Sequence, residues 1–412
     1  RILELRDCGG ELNRAMRAMV QLLETFPRID VVMAVNEQAA LGAMAALEEK
    51  GVLSSTLVYS VDGSPEAKAL ISEGLMTATS AQSPLRIGRM AAALRQLGFD
   101  HVYDTTFAAD LTIMEEANEF LERFLAGDTR EFPMFTSCCP GWVRFLKGQY
   151  PELTDRLSTS KSPQQMFGAI AKTWLADKLQ VIPEKLYCVS IMPCLAKKAE
   201  CALPTMRTDH GPDVDLALTT REFIRVLRAD HLDPSLLPEE PLDDPMGTFT
   251  GAGTIFGTTG GVLEAALRTA YAKLTGENPD PELFAPLRNG IGLRDAVYTI
   301  AGKEIRCAVV SGLGNTRQLI QALKRKEVHY DFVEVMACPG GCAGGGGQPI
   351  PQEDEELEGV RGEQLRTLDK RSRFRFSHEN PQIQRLYREF LGKPLSPKAE
   401  ALLHTDHFGW KM

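Results

Sequence analysis

No apolar run in the 412-residue sequence approaches the roughly 20 residues that a membrane helix requires, so no membrane span is expected. There is also no basic stripe. The net charge is −9, with acidic clusters such as Glu353–Glu356, and a nucleic-acid partner is therefore not expected. Internal repeats and low-complexity tracts are absent, and the seven histidines lack the spacing of metal ligands.

The start of the chain and its cysteine content bear on the compartment. No signal peptide or twin-arginine leader follows Arg1, so we expect a cytoplasmic protein, and the lack of an initiator methionine indicates a fragment. Nine cysteines is an odd number, and their spacing is not typical of a disulfide framework in a chain of this length. Metal ligation or redox chemistry in a reducing compartment is expected instead.

Three cysteine-bearing stretches stand out in the sequence: Phe135–Trp142, Ile191–Glu200 and Phe332–Pro349. The third contains six glycines in eight residues around Cys342. Because glycine costs conformational entropy, this run indicates a close approach of the backbone to a bulky inorganic ligand. A flexible loop with two free thiols is the alternative.

Four thiols from these stretches could meet. One of the adjacent pair Cys138 and Cys139, together with Cys194, Cys338 and Cys342, suits either zinc or a [4Fe–4S] cluster. Structural zinc sites usually draw on two tight knuckles, whereas two of these ligands come singly from distant loops, which favours the cluster. Neighbouring side chains on an extended chain point apart, so the spare thiol of the pair is free for proton or redox chemistry.

Hydrophobic periodicity predicts an α/β fold. Residues 1–90 alternate helices with short buried strands of parallel-sheet character. A helix from Leu111 to Phe124 places Glu116, Glu119 and Arg123 on one face, and this pattern alone would also be typical of a solvated acidic face. Later strands are predicted at 186–192, 307–310 and 331–336, an acidic loop at 352–358, and helices at 220–228, 262–274, 316–326 and 380–390.

The three cysteine stretches resemble the three signature motifs of [FeFe]-hydrogenases. The likeness continues through Ser158–Gln165, Leu218–Glu222 and Thr250–Arg268, and the tail from Ser377 resembles the small-subunit segment that wraps the same domain. The resemblance covers about residue 90 to residue 412 and implies a two-lobed α/β catalytic domain, with parallel and mixed sheets flanked by helices and the cluster between the lobes. We expect three parts: a small α/β segment at 1–90, the catalytic domain at 91–350 and a small-subunit-like segment at 351–412.

Residues 1–90 resemble part of the C-terminal lobe of periplasmic sugar-binding proteins and of sugar-responsive repressors. Asn36, Asp62 and Gln82 stand at positions that line the sugar cleft in that family. That cleft needs a second lobe, which nothing upstream supplies, so a structural remnant is expected here. In [FeFe]-hydrogenases this place usually holds a strand and an Ala-Pro loop that packs on the diiron ligands, for which Ser83–Arg86 is the candidate substitute.

The hydrogenase resemblance implies an H-cluster, in which Cys342 also bridges the [4Fe–4S] cluster to a diiron unit with CO, cyanide and a bridging dithiolate. Lys197 would donate a hydrogen bond to a cyanide. The implied cluster ligands are Cys139, Cys194, Cys338 and Cys342. The implied, largely apolar surroundings are Met192, Pro163, Gln164, Phe256 and Met336.

The same resemblance implies a proton relay. Cys138 would be the terminal proton donor and acceptor, and Glu116, Ser158 and Glu119 would lead to the surface, with Arg123 paired to Glu119. This implication favours a functional reading of the acidic helix face.

The implied function is the reversible reduction of protons to H₂. No cysteine cluster for accessory domains lies upstream, so electrons are expected from an external carrier such as ferredoxin, and maturation proteins are expected to insert the diiron unit. The alternatives are a non-catalytic hydrogenase-like protein of cluster assembly, an inactive fusion or truncated product, and a sugar-sensing module at the N-terminus. Cys138 and Lys197 favour catalysis, because the assembly proteins lack the proton-shuttle thiol and the complete third motif.

Overall fold

A computed structural model describes residues 3–61, 78–80, 87–288, 292–350 and 357–411. The chain divides into two compact units, one comprising residues 1–92 with 234–240 and the other residues 93–233 with 241–412. Helices and mixed or parallel sheets make up both units, which confirms the predicted α/β class. Among the described helices, none has the length and apolarity needed to cross a bilayer.

The first unit is a small three-layered α/β segment. Its sheet is parallel throughout, in the order β1–β2–β3, as the short apolar runs predicted. Met19 of the first helix packs on Met44 and Leu47 of the second, over Val58 of the central strand. The elements are α1 (Leu12–Thr25), β1 (Val31–Met33), α2 (Glu37–Glu49), β2 (Leu57–Val61), β3 (Ala78–Ser80) and α3 (Ile87–Gln96), the last of which continues into the second unit.

Asn36 has a structural role in this unit. Its side-chain oxygen accepts a hydrogen bond from Ala39 N at 2.9 Å and caps α2, while its Nδ2 donates to Gly10 O. Asp62 and Gln82, the other two positions that the sugar-binding resemblance singles out, lie outside the described residues, as does the segment 83–86.

The second unit holds all three cysteine stretches. Its helices are α4 (Thr106–Ala126), α5 (Pro140–Gln149), α6 (Pro163–Ile170), α7 (Ala176–Leu179), α8 (Ala196–Cys201), α9 (Thr220–Ala229), α10 (Gly251–Ile255), α11 (Gly261–Thr275), α12 (Leu313–Lys324), α13 (Leu357–Arg371), α14 (Pro381–Leu386) and α15 (Pro397–Leu403). Its strands are β4 (Met134–Phe135), β5 (Val189–Met192), β6 (Arg207–Thr208), β7 (Gly211–Pro212), β8 (Leu216–Thr219), β9 (Gly292–Ile300), β10 (Lys303–Ser311) and β11 (Phe332–Met336).

A four-stranded sheet and a two-stranded sheet organise this unit. In the larger sheet, of order β4–β11–β10–β9, β11 runs parallel to β4 and β10, and β9 is antiparallel. Every residue of β11 is buried because helices cover both faces, as for interior strands of parallel sheets. In the smaller sheet, β5 pairs with β8 in parallel.

Helices pack on both faces of the larger sheet. On one face, Phe120 of α4 stacks on Phe332 of β11 with 4.5 Å between ring centroids. On the other, Trp142 of α5 and Leu319 of α12 share a core with Val335. The C-terminal helices α14 and α15 join a third core that includes Phe107 and Trp174, so these helices are an integral part of the unit.

Some of the sequence predictions are wrong in detail. The strand predicted at 186–192 begins at Val189, and residues 357 and 358 of the predicted acidic loop belong to α13. Apolar periodicity could not reveal α13, because it buries polar groups: Arg366 and Asp369 are nearly inaccessible, and Asp369 pairs with the fully buried Arg268. Helices α5 and α6 and strand β9 were not predicted.

Candidate functional site

Two of the cysteine stretches meet at one edge of the larger sheet. Cys138 and Cys139 follow β4, and Cys338 follows β11, its parallel neighbour. The carboxyl ends of parallel strands lie at the same edge, so the sheet itself brings these residues together. The Ala337 amide donates to Cys139 Sγ at 3.4 Å, which fixes the two loops against each other.

Cys194 reaches the same place from the smaller sheet. It follows β5, and the preceding residue, Pro193, accepts a hydrogen bond from Gly347 N at 2.9 Å. Cys342 lies in the 3₁₀ turn Gly341–Gly344, which is held by a bond from Ala343 N to Gly257 O, also at 2.9 Å. The glycine-rich loop is thereby bound on two sides.

The four thiols lie close enough to influence one another electrostatically. Burial raises the pKa of Cys342, and the charges of Cys139, Cys194 and Cys338 raise it further. The pKa of Cys139 is raised by burial and by Cys194 as well. Thiols in such a place ionise readily only when a metal neutralises them, because a coordinating thiol is deprotonated outright.

The donor set fits a [4Fe–4S] cluster. In the part of the chain that the structure describes, no three His, Cys, Asp or Glu side chains converge on the position of a single ion. A [4Fe–4S] cluster does not need such convergence, because its four cysteines are distributed around a body of several atoms. Four free, mutually interacting thiols on three converging loops are what that cluster requires.

The glycines of the third stretch allow protein loops to touch. A Cβ at Gly345 would overlap the Pro193 carbonyl oxygen, and one at Gly347 would lie 2.7 Å from Cys194 N. At Gly341, where φ is +75°, a Cβ would lie 2.8 Å from Thr259 N. The backbone approach that the glycine run indicated is therefore, at these three positions, an approach to neighbouring protein backbone.

This packing gives a matched pair of substitutions. Gly345→Ala should displace the loop that carries Cys342, because overpacking of this kind costs about 1–3 kcal/mol, and should lower the iron content of the purified protein. Gly346→Ala should leave the iron content unchanged, because the nearest atom, Leu195 Cδ1, is 3.8 Å from the added Cβ. Equal iron content in the two variants, measured by colorimetric iron assay, would contradict this account of the glycines.

Lys197 is a buried cation beside these loops. Its Nζ donates to Cys138 O at 3.0 Å and pairs with Glu200 at 3.0 Å. Burial opposes the charge, but Glu200 and the thiols of Cys194 and Cys138 outweigh it, so the pKa of Lys197 is raised. The site therefore keeps one ammonium group next to the cysteines.

Gln164 orients this ion pair. Its Nε2 donates to Glu200 Oε2 at 2.8 Å and to Lys197 O at 3.1 Å, and Ser190 Oγ donates to its Oε1 at 2.7 Å. All of these groups are buried. Gln164 thus has a polar role beside residues that are otherwise apolar.

The other residues of the expected apolar surroundings fall into two groups. Phe256 and Met336 share one buried cluster with Cys138. Met192 ends β5 directly before the loop of Cys194, and Pro163 begins α6 directly before Gln164; both are half-buried. The structure therefore packs Phe256 and Met336 against the spare thiol and places Met192 and Pro163 at the entries of two site elements.

A line of acid–base groups leads away from Cys138 along α4. The Ser137 amide donates to the fully buried Glu116 at 3.4 Å, and Ser158 Oγ donates to Glu119 at 2.6 Å. Arg123 pairs with Glu119 at 2.7 Å and is one-fifth exposed. The helix face predicted from spacing is therefore turned inwards at Glu116 and reaches solvent at Arg123.

Burial dominates the protonation of the inner groups. It raises the pKa of Glu116 from 4.5 to about 8, with the charge of Glu119 as the next cause, while Ser137 and Ser158 lower it. The pKa of Cys138 is raised far above its ordinary value by burial and then by Glu116. Glu116 can therefore both accept and release a proton near neutral pH.

The pKa of Glu116 has a consequence for stability. Between pH 4.5 and about 8 the folded chain keeps a proton on Glu116 that the unfolded chain releases, so stability falls as the pH rises through this window. Glu116→Gln should flatten this dependence by up to about 1.4 kcal/mol per pH unit. The free energy of unfolding in urea, measured between pH 5 and pH 8 on samples with equal metal loading, gives this dependence. Glu122→Gln, on the exposed side of α4, is the control. An unchanged slope in the Glu116 variant would contradict the assignment.

The contacts made by the C-terminal segment were not predicted. His404 Nδ1 lies 2.7 Å from Thr159 Oγ1, and its Nε2 lies 3.1 Å from Glu115 Oε2, so the ring is within hydrogen-bond distance of both side chains. The Thr159 amide in turn donates to Glu119 at 3.0 Å. Glu334 was also missed: it receives hydrogen bonds from Gly260 N and Leu263 N at the start of α11. A charged residue inside the apolar run of β11 was the one available signal.

An α/β unit that brings four thiols together on loops that follow strands, beside a buried line of acid–base groups, has the donor set of an iron–sulfur site. The family described as iron only hydrogenase large subunit, C-terminal domain, matches residues 60–346, and iron hydrogenase small subunit matches residues 355–410. The chain belongs to the iron-only hydrogenase family. A periplasmic binding protein domain matches residues 2–96, which confirms the resemblance noted for the N-terminal segment.

Individual relatives are similar over most of this chain. The NADP-reducing hydrogenase subunit HndD of Solidesulfovibrio fructosivorans is 50% identical over 85% of this chain and 60% of its own length. The periplasmic [Fe] hydrogenase large subunit of Nitratidesulfovibrio vulgaris is 46% identical over 64% of this chain and 62% of its own length. The chain thus spans about three fifths of the length of these relatives.

Two further likenesses bear on function. A solved structure of a variant of [FeFe]-hydrogenase HydA1 from Chlamydomonas reinhardtii is 40% identical and has a TM-score of 0.69, covering 78% of this chain and 87% of that chain. The cytosolic Fe-S cluster assembly factor narfl of Xenopus tropicalis is 32% identical over 77% of this chain and 68% of its own length. The family therefore includes both hydrogenases and a cluster-assembly factor.

Proposed function

We propose that the chain is the catalytic part of an [FeFe]-hydrogenase that catalyses 2H⁺ + 2e⁻ ⇌ H₂. The observation that carries the proposal is the line from Cys138 through Glu116 to Glu119 and Arg123, which begins beside four cluster-type cysteines and ends at solvent. A purely structural iron–sulfur site has no need of a buried acid–base line. We assign the catalytic domain to residues 91–350 and the small-subunit-like segment to residues 351–412, after a partial sugar-binding-protein-like segment at 1–90.

Four residues would hold the metal group in this proposal. Cys139, Cys194, Cys338 and Cys342 would bind the [4Fe–4S] cluster, with Cys342 shared with the diiron unit. When bound, the H-cluster would pass on electrons received from the carrier and supply the metal site at which protons and H₂ interconvert. The raised pKa of these thiols means that loading releases protons.

Cys138 would exchange protons with the active site. Its side chain lies in an apolar cluster with Phe256 and Met336, which excludes water, so protons must pass through protein groups. Glu116 is the next proton acceptor, since its charge raises the pKa of the Cys138 thiol and the two groups are therefore close. From Glu116 the proton would pass through the Ser158 hydroxyl, which donates a hydrogen bond to the Glu119 carboxylate.

Lys197 and Arg123 would have supporting roles at opposite ends of the proton path. Lys197 places its ammonium next to Cys138 and is oriented by Glu200, so it can donate to an anionic ligand such as cyanide. Arg123 fixes Glu119 at the surface end by an ion pair. Met192, Pro163 and Gln164 would support this arrangement from β5 and α6.

Electrons would enter on the side of the [4Fe–4S] cluster. Leu195, Pro339 and Gly346, which are neighbours of the cysteine ligands, are exposed, so a carrier could approach there. We propose a reduced carrier such as ferredoxin as the donor, maturation proteins as the source of the diiron unit, and the cytoplasm as the compartment.

Anaerobic production with the maturation proteins tests the proposal. Infrared bands from CO and cyanide, together with H₂ evolution from a reduced carrier, are the expected result. A protein that binds four irons but shows neither would overturn the proposal. That outcome would favour the second candidate function, a non-catalytic role in cluster assembly. The 32% identity to narfl supports this candidate.

A further inference from the structure

A small cavity lies behind the relay segment Ser158–Ser160. Its volume is about 20 Å³, and its walls include Ser160 together with Thr405, His407 and Trp410 of the C-terminal segment. A buried water molecule needs roughly 10–15 Å³ of such volume and two to four polar partners. The cavity is therefore large enough for one water molecule.

Four of the residues that line this cavity each carry a buried polar atom without a hydrogen-bond partner within the described ranges. These atoms are Ser160 Oγ, Thr405 Oγ1, His407 Nδ1 and Trp410 Nε1. Each residue is less than one-tenth exposed, and all four line the same cavity. Buried polar groups left unpaired are costly, so four on one small cavity indicate a bound polar molecule.

The contact of His407 fixes the role of its ring. Its Nε2 lies 2.7 Å from Ser158 O, and because a carbonyl can only accept, Nε2 carries the proton. Burial lowers the pKa of His407, which favours the neutral ring. Its Nδ1 is then a bare acceptor on the cavity wall.

The relay segment and the C-terminal segment are already paired through their backbones. Lys161 N donates to Leu403 O, and Thr405 N donates to Thr159 O, both at 2.8 Å. Within the relay segment, Ser160 N donates to Ser158 Oγ at 3.2 Å. The position of Ser160 thus bears directly on the hydroxyl that contacts Glu119.

We infer that this cavity is a built site for one ordered water molecule, which bridges Ser160 Oγ and His407 Nδ1 and closes a ring of hydrogen bonds around Ser158. Thr405 and Trp410 complete its coordination. His407 is then a positioning residue for the relay hydroxyl. The water site depends only on the residues described, whereas the positioning role rests on the proposed function.

A high-resolution crystal structure of the whole chain tests the water site. We expect one water peak at about 2.7–3.2 Å from both Ser160 Oγ and His407 Nδ1. An empty cavity, or a peak that contacts neither atom, would overturn the inference. In crystals of Ser160→Ala the peak should move or weaken, and a peak unchanged in position and occupancy would also count against the bridge.

Hydrogen–deuterium exchange of the fully loaded protein tests the positioning role. His407→Gln can keep a donor to Ser158 O but lacks the acceptor at Nδ1, so amide exchange in residues 158–161 should rise about tenfold, as it should in Ser160→Ala. His378→Gln, on a tail histidine bonded to Asn278, is the matched control and should leave that exchange unchanged. Exchange unchanged in both test variants would overturn the role of His407.

Measurements of H₂ evolution distinguish a failure of the positioning role of His407 from a failure of the proposed function. The His407 and Ser160 variants should lose about 3- to 30-fold in H₂ evolution, with unchanged CO and cyanide bands. Full turnover in both would contradict the positioning role. If the parent protein shows no such bands, the proposed function fails, and the water peak and the exchange data still decide the site.

Discussion

Cys138→Ser is expected to abolish H₂ turnover while the [4Fe–4S] cluster persists. Cys138 is not one of the four proposed cluster ligands, and its thiol is buried in an apolar cluster with Phe256 and Met336. A serine hydroxyl has almost the same shape but ionises far less readily than a thiol. Because a positioned acid–base group typically contributes 10²–10⁴-fold, we expect a loss of at least about 100-fold.

Cys307→Ser is the matched control for this experiment. Cys307 is also a fully buried free thiol, but it lies in the core of the larger sheet among residues such as Tyr298 and Phe332. The control should cost some stability and leave the turnover per loaded protein unchanged. H₂ evolution normalised to iron content and CO bands gives the comparison. Equal turnover in the Cys138 variant would remove that thiol from the mechanism.

Cys194→Ala is expected to lose the [4Fe–4S] cluster. Cys194 comes from the smaller sheet, and its charge is felt by Cys139, Cys338 and Cys342. Without it, only three cysteine ligands of the cluster remain, and iron should fall from about six per fully loaded chain, four in the cluster and two in the diiron unit, to less than one. Turnover should fall with the iron, because the diiron unit depends on the same loops.

Cys201→Ala provides the control for cluster loss. This half-buried cysteine ends α8, seven residues beyond Cys194, and its Sγ accepts from Gln164 Nε2 at 3.3 Å, away from the four thiols. We expect full iron content in this variant. Colorimetric iron analysis and the electron paramagnetic resonance signal of the reduced cluster give the readout. A Cys194 variant that keeps four irons would exclude Cys194 as a ligand.

Local pattern carried much of the prediction. The strands predicted at 186–192 and 331–336 each lead into a cysteine loop, as β5 and β11 do, whereas the two-residue strand β4 before Cys138 was not predicted. Spacing along one helix also placed Glu116, Glu119 and Arg123 on a common face, as α4 shows. Which way that face points could not be read from spacing, since an inward and an outward acidic face have the same periodicity.

The remaining features depend on contacts between distant segments. Thr159 and His404 are 245 residues apart, and no local pattern in either segment predicts the hydrogen bond between them. The glycine run shows a different limit: its tight backbone packing was predicted, but the atoms approached, those of Pro193 and Thr259, belong to other loops. Arg366 and Asp369 remained hidden because a polar core leaves no apolar stripe on α13.

The backbone pairing of residues 403–405 with residues 159–161 has a kinetic side. Because both partners are on one chain, docking of this C-terminal segment is a unimolecular event, and a tether of this kind corresponds to an effective concentration in the millimolar range. Dilution therefore cannot separate the segment from the relay serine, as it could separate an independently encoded polypeptide. Activity per molecule should be independent of protein concentration down to the nanomolar range.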